Sequence, residues 1–191
     1  MCPKTDDQLI IEKATQGERE ALGRLYERYV DAVYRYMLYR TSDHDVAEDL
    51  TAEVFTNMIT AIKRYEDLGL PFEAWLFRIA HARLVDYYRK SKRRKQKEVA
   101  LSGETAEFLL GDSPEDMFKH EEVVNALQYL TDSEREVIVL RFAAELDNRE
   151  IAMVVQRNAN AVKSMMHRAI KKLRKVLTQR IAVIRSEVDG K

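Results

Sequence analysis

The sequence predicts an all-α protein made of two small helical domains joined by a flexible linker. Three observations carry this. Apolar residues recur at spacings of three and four along most of the chain, the period of a helix burying one face. Six Gly and three Pro in 191 residues are too few to turn the many short strands of a sandwich or barrel. Between 96 and 113 the period lapses in a stretch of Gly, Ser, Glu and Thr. That linker separates an N-terminal domain at 5–95 from a C-terminal domain at 114–183, each with a small core.

Taken in order, the first helix spans 6–15, with Thr5 and Gln8 at capping-box spacing and Gly17 as its stop. The second, 18–40, carries Leu22, Leu25, Tyr26, Tyr29, Val33, Tyr36 and Met37 as its apolar stripe. Val46, Leu50, Val54, Met58 and Ile62 mark a third helix at 44–63. Leu68-Gly69-Leu70-Pro71 breaks the chain before a fourth helix at 71–95, in which Trp75 is expected to pack. Ser113-Pro114-Glu115-Asp116 places a cap before proline at the first position of a helix at 114–130. Thr131 and Glu134 repeat the capping-box spacing for 132–143. Helices at 148–155 and 159–183 complete the chain, the last capped by Asn158.

Lys and Arg number 32 and Asp and Glu number 32, so the formal net charge is zero. A neutral chain is a poor candidate for a nucleic-acid binder until the charges are placed. Residues 43–53 hold Asp43, Asp45, Glu48, Asp49 and Glu53 and no base, and 98–118 are likewise acidic without a base. Residues 83–97 are basic apart from Asp86, and 157–180 contain no acid at all. Solvated helix faces usually interleave their signs in i,i+4 pairs. These blocks do not, so the zero is a sum of opposite regions.

The apolar runs fall short of the ~18 residues a membrane span needs, and the N-terminus lacks a signal-peptide pattern. A single cysteine, Cys2, excludes an internal disulfide framework. A cytoplasmic protein without direct membrane insertion is expected. No metal, cofactor, catalytic residue or small-molecule substrate is expected either. His44 beside Asp45 invites a hydrolase reading, but His81, His120 and His167 fall on separate helices without ligand spacing.

The C-terminal unit has the layout of a DNA reader. A short helix, 148–155, meets the basic helix 159–183 across a turn at Gln156-Arg157, the helix-turn-helix arrangement. Ile151, Ala152, Val155, Val162, Met166 and Ile170 are the expected buried positions. Asn160, Lys163, Ser164, His167, Arg168 and Lys171 then face outward, where such side chains reach phosphates and base edges.

At this point the residues resemble a known family. Leu130 to Phe142, Glu150-Ile-Ala152, Ala161 to Ser164 and His167-Arg-Ala169 resemble the fourth conserved region of bacterial RNA polymerase sigma factors. Ala47 to Phe55 and Ala74 to His81, followed by Asp86 and Arg89, resemble the second region. Both sets in that order, with a linker too short for the third-region helical domain, are similar to the extracytoplasmic-function (ECF) subgroup.

The resemblance implies a factor that binds core RNA polymerase, directs it to specific promoters and assists melting. It implies a β′ clamp-helix contact through Asp49, Leu50, Glu53 and Phe55, and a β-flap contact by the fourth region. It implies −10 element contacts by Tyr65, Phe72, Arg78, His81, Arg83, Asp86, Tyr87, Arg89 and Lys90, with Lys92 to Lys95 tracking phosphate. For the −35 element it implies Arg141, Asn160, Lys163, Ser164, His167, Arg168 and Lys171. The acidic linker would thread the enzyme's RNA channel. An anti-sigma factor is a further implied partner, one able to hold the chain at a membrane.

Three positions depart from the family pattern: Ala82 stands where Asn is frequent, Ala52 where Gln is usual, and Gln156 where the turn customarily has Gly. A freestanding helix-turn-helix regulator, an enzyme and a helical adaptor are the competing readings.

Overall fold

The computed structural model describes residues 6–66, 71–98 and 123–189, with side chains over 7–66, 71–93 and 123–178. The elements are α1 (Asp6–Thr15), α2 (Arg19–Thr41), α3 (His44–Ala61), a 3-10 turn (Ile62–Arg64) and α4 (Phe72–Glu98). A helical stretch at 123–127 precedes α5 (Asp132–Ala143), α6 (Asn148–Val154) and α7 (Ala159–Asp189). The expected helices within the described residues stand within a few residues of their places, except that α4 and α7 run on past 95 and 183. Of the helix expected at 114–130, only 123–127 are described as helical. The Thr5 and Ser113-Pro114 caps, residues 99–113 of the linker and 114–122 lie outside the described residues.

Each boundary has a local cause. Gly17 turns left-handed (φ 86°) after α1, and the Glu18 N–H reaches the Lys13 carbonyl at 3.1 Å, a Schellman closure. Asp43 caps α3 by accepting from the Val46 N–H at 3.0 Å. Thr131 and Glu134 form the expected capping box at α5, and Asp147 with Glu150 forms a second at α6. The α6–α7 turn closes as α1 does: Gln156 takes φ 53° and the Arg157 N–H bonds the Ala152 carbonyl at 2.8 Å. Position 156 therefore demands a left-handed residue, and this chain supplies one with a Cβ.

α2, α3 and α4 form a bundle around Val33, Met37, Val54, Met58, Leu76, Phe77 and Leu84, with α1 laid on α2. In the C-terminal half, α5, α6 and α7 close around Val137, Leu140, Ile151, Val162, Met166 and Ala169. The halves also pack on each other. α5 lies against α2 and α6 against α4, and the buried cluster is continuous through both.

Two details of the buried stripes differ from the expectation. Ile170 is 41% exposed, and Ala169 takes the inward place. The stripe runs 162, 166, 169, stepping by four and then three as a 3.6-residue period requires. Tyr26 is 49% exposed rather than part of the α2 stripe, which turns Leu25 and Tyr29 inward.

Candidate nucleic-acid interface

With Val162, Met166 and Ala169 turned inward, α7 presents Asn160, Lys163, Ser164, His167, Arg168 and Lys171 to solvent on its other side. Its start is ordered by Asn158, whose Oδ1 accepts from the Ala161 N–H at 2.7 Å. Its tilt against α5 is held by one carboxylate. Glu134 receives Lys172 Nζ at 2.6 Å on one oxygen, and the other lies 3.6 Å from Arg168 Nε. The same side chain closes the α5 capping box, so the cap of one helix also anchors the basic helix beside it. The Lys172 bond, opposed by desolvation and aided by the Thr131 donors, draws the Glu134 carboxyl from 4.5 down to about 2. Arg141 is exposed but spends one N–H on the Leu146 carbonyl at 2.8 Å, bracing the α5–α6 loop.

On α4, Arg78, Ala82, Arg89, Lys90, Lys92 and Arg93 form an exposed row. Asp86 sits within it, 3.0 Å from Arg83 and 3.1 Å from Arg89, an internal strut for two cations on a predominantly basic surface. Tyr87 is half-buried beside Tyr88, ring centres 5.5 Å apart. At the start of α4 three aromatic rings meet. Tyr65 stands 5.5 Å from Phe72 and 5.1 Å from Trp75, and Phe72 stands 5.2 Å from Trp75. Phe72 is 3% exposed and backs onto Tyr29, so it supports the cluster, while Tyr65 and Trp75 are half-exposed. Residues 67–70 of the preceding loop lie outside the described residues, as do the side chains of Arg94 and Lys95.

On α3, Asp49 and Glu53 are exposed on one face, whereas Leu50 and Phe55 are buried beneath them. Phe55 meets the edge of Tyr26 at 4.8 Å. A shallow groove between α2 and α3 is walled by Tyr26, Val30, Phe55 and Ile59 and edged by Asp31 and Glu48. Half-exposed Tyr26 and Ile59 are apolar surface in this groove that sequence reading missed, because helical spacing alone counted Tyr26 as core. Their signal is position: both flank the acidic face rather than opposing it.

A third cluster joins the halves. Glu136 of α5 is 6% exposed and accepts from the Tyr36 hydroxyl at 2.6 Å. Its carboxylate also lies 3.0 Å from His81 Nδ1 and 2.9 Å from Arg40 Nε. Burial pushes its carboxyl up, but the His81 bond, the Arg40 charge and the Tyr36 hydroxyl outweigh that and hold it below the ordinary range. The Tyr36 phenol moves the opposite way, raised by burial and then by the Glu136 charge. Of these four, sequence reading had named only His81 as functional. The available signals were a lone Arg following an apolar helical stripe and a lone Glu leading the run Val137-Ile-Val-Leu140.

Comparison with known proteins identifies the family. Residues 25–94 match the family described as Sigma-70 region 2, and 120–173 match Sigma-70, region 4. The ECF RNA polymerase sigma factor SigM of Bacillus subtilis is 30% identical over 157 residues, covering 80% of this chain and 93% of SigM. The ECF RNA polymerase sigma factor BldN of Streptomyces coelicolor is 33% identical over 170 residues. That match covers 88% of this chain and 64% of BldN, so the chain spans less than two thirds of that relative. The fold matches the solved structure of CnrH in complex with the cytosolic domain of CnrY. Its TM-score is 0.70 at 24% identity, over 91% of this chain and 97% of CnrH. The two family matches in that order and these relatives place the chain in the ECF RNA polymerase sigma factors.

Proposed function

We propose that this chain binds core RNA polymerase, brings it to specific promoters and assists opening of the −10 element, the bond-making chemistry residing in the polymerase. The observation that carries this is α7, acid-free over 157–180 and aimed outward by a buried stripe and the Glu134 anchor. Asn160, Lys163, Ser164, His167 and Arg168 read the −35 element in the major groove, with Lys171 on phosphate. Arg141 positions the reading unit by holding its loop and touches DNA from there.

The α4 surface, with Arg78, His81, Arg83, Asp86, Tyr87, Arg89 and Lys90, engages the −10 strand. Tyr65 and Trp75 offer stacking edges to a displaced base, and Phe72 supports them from behind. Losing a base from the duplex stack costs a few kcal/mol, which such contacts can offset without ATP. Asp49 and Glu53 pair with cations of the β′ clamp helices. Leu50 and Phe55 shape the groove between α2 and α3 from below, where Tyr26 and Ile59 supply the apolar contact. The fourth region meets the β flap, and an anti-sigma factor is the regulatory partner, as the structural neighbour RpoE of Bartonella quintana is solved with the anti-sigma factor NepR.

Run-off transcription with core polymerase tests this. The chain should confer initiation at particular promoters, and Arg168→Ala should lower that initiation with a binding loss of ~1–3 kcal/mol specific to the −35 sequence. Equal loss on every sequence would make Arg168 a phosphate clamp. No promoter-specific initiation on any genomic template would sink the reading.

A further inference from the structure

The Glu136 cluster is not needed to build either half. α5 is already capped by Thr131 and Glu134, whereas the groups that hold Glu136, namely Tyr36, Arg40 and His81, come from α2 and α4. The seam around it is incompletely filled. A crevice lined by Arg40, His81, Ser133, Glu136 and Arg157 opens beside the cluster. A second cleft, between Tyr29, Arg35 and Phe77 on one side and Ala144 and Leu146 on the other, opens elsewhere along the junction. Buried apolar residues run through both halves, but these gaps leave fewer close contacts to lose on separation than a fully packed junction would.

Geometry requires that they separate. This step rests on the reading above, in which one half meets the −10 element and the other the −35. Those elements are roughly 25 base pairs apart, about 85 Å along B-form DNA, while a compact chain of this size is about 40 Å across. The packed arrangement therefore cannot be the promoter-bound one.

We propose that Glu136 is an intramolecular latch: in the free chain it clasps Tyr36, Arg40 and His81, holds the halves together and occupies a −10-facing side chain. Polymerase, by seating the halves apart, breaks it. The latch is suited to opening. Arg40 is 7% exposed, yet its Nε approaches Glu136 outside hydrogen-bonding angle and its Nη1 has no hydrogen-bond partner among the described residues. Separation hydrates a partly satisfied guanidinium, so the bonds lost are offset by bonds to water.

Single-molecule energy transfer on the full chain tests this, with Cys2→Ser removing the native thiol and dyes at Thr60→Cys and Gln128→Cys, both exposed positions. The free wild-type background should be mostly in a high-transfer state. Glu136→Gln should raise the low-transfer population about tenfold or more. Arg40→Met, made on the other half, should do the same without altering α5. Retained helicity by circular dichroism shows that each variant is folded. If Glu136→Gln unfolds α5, Arg40→Met and Tyr36→Phe decide alone.

Unchanged distances in folded variants, or a wild-type chain already open, overturn the latch. Core polymerase should open every variant, and a tenfold gain in open population should tighten apparent core binding by up to about tenfold. The free-chain distances judge the latch alone. Wild-type run-off transcription judges the sigma reading, so the two can fail separately.

Discussion

A single carboxylate, Glu134, ties the N-terminus of α5 to the basic helix α7, and its titration shows how. Its value falls from 4.5 to about 2 in the folded chain, so the folded state favours the ionised form. The stabilisation it lends is complete above about 4.5 and disappears as pH drops through about 2. Glu134→Gln should therefore be less stable than wild type at neutral pH, and the two unfolding curves should converge as acid is added, meeting near pH 2. Parallel curves in a denaturant titration across that range would show that the carboxylate's charge is not what anchors α7. Glu136 and Asp147 are also held low, by their own partners, but they contribute equally to both proteins and cancel in the comparison. At this scale the sequence was partly legible. The Thr131–Glu134 spacing announced a cap, but nothing in a linear string places Lys172 on the same carboxylate.

Helices were the most legible level, because a 3.6-residue stripe and a cap are both local signals. Asp43, Thr131 and Asn158 end or begin elements for reasons that need only a few neighbouring residues. The turn between α6 and α7 makes the point sharply, since its left-handed φ of 53° falls on Gln156. A glycine there loses the Cβ clash, and that relief outweighs the unfolded-state entropy glycine adds, so Gln156→Gly should stabilise the chain by about 0.5–1 kcal/mol. Chemical denaturation measures this, and a destabilised variant would mean that the Gln156 side chain contributes more than its backbone costs. Where the stripes misled, at Tyr26 and Ile170, the cause was also physical. The stripe says which face is apolar, not how much of that face a neighbour covers.

The packing of one half on the other was not legible, because its contacts, apolar and polar alike, join residues separated by the whole linker. Tyr36 and Glu136 lie on different helices, and no local spacing pairs them. What the sequence did disclose at this scale was the distribution of charge. The chain's 32 cations and 32 acids cancel in sum while remaining separated in space. Duplex DNA, which attracts bases by counterion release, is repelled by the Asp49–Glu53 face of the same molecule. The isolated chain should therefore bind promoter duplex only weakly, no tighter than about 10⁻⁶ M at physiological salt, and become a tight binder in the presence of core polymerase. Fluorescence anisotropy on labelled promoter fragments makes the comparison. Nanomolar binding by the chain alone would show that its acidic surfaces do not restrain it.

The aromatic cluster at the head of α4 has one further use. Trp75 is the only tryptophan in the chain, and it stands within 5.1 Å of Tyr65 and 5.2 Å of Phe72. Red-edge excitation of the free protein therefore reports one location and nothing else. Emission colour and quenching there register a nucleobase settling against Tyr65, or the departure of the ring, without any attached dye. This fold therefore carries its own optical probe for the head of α4.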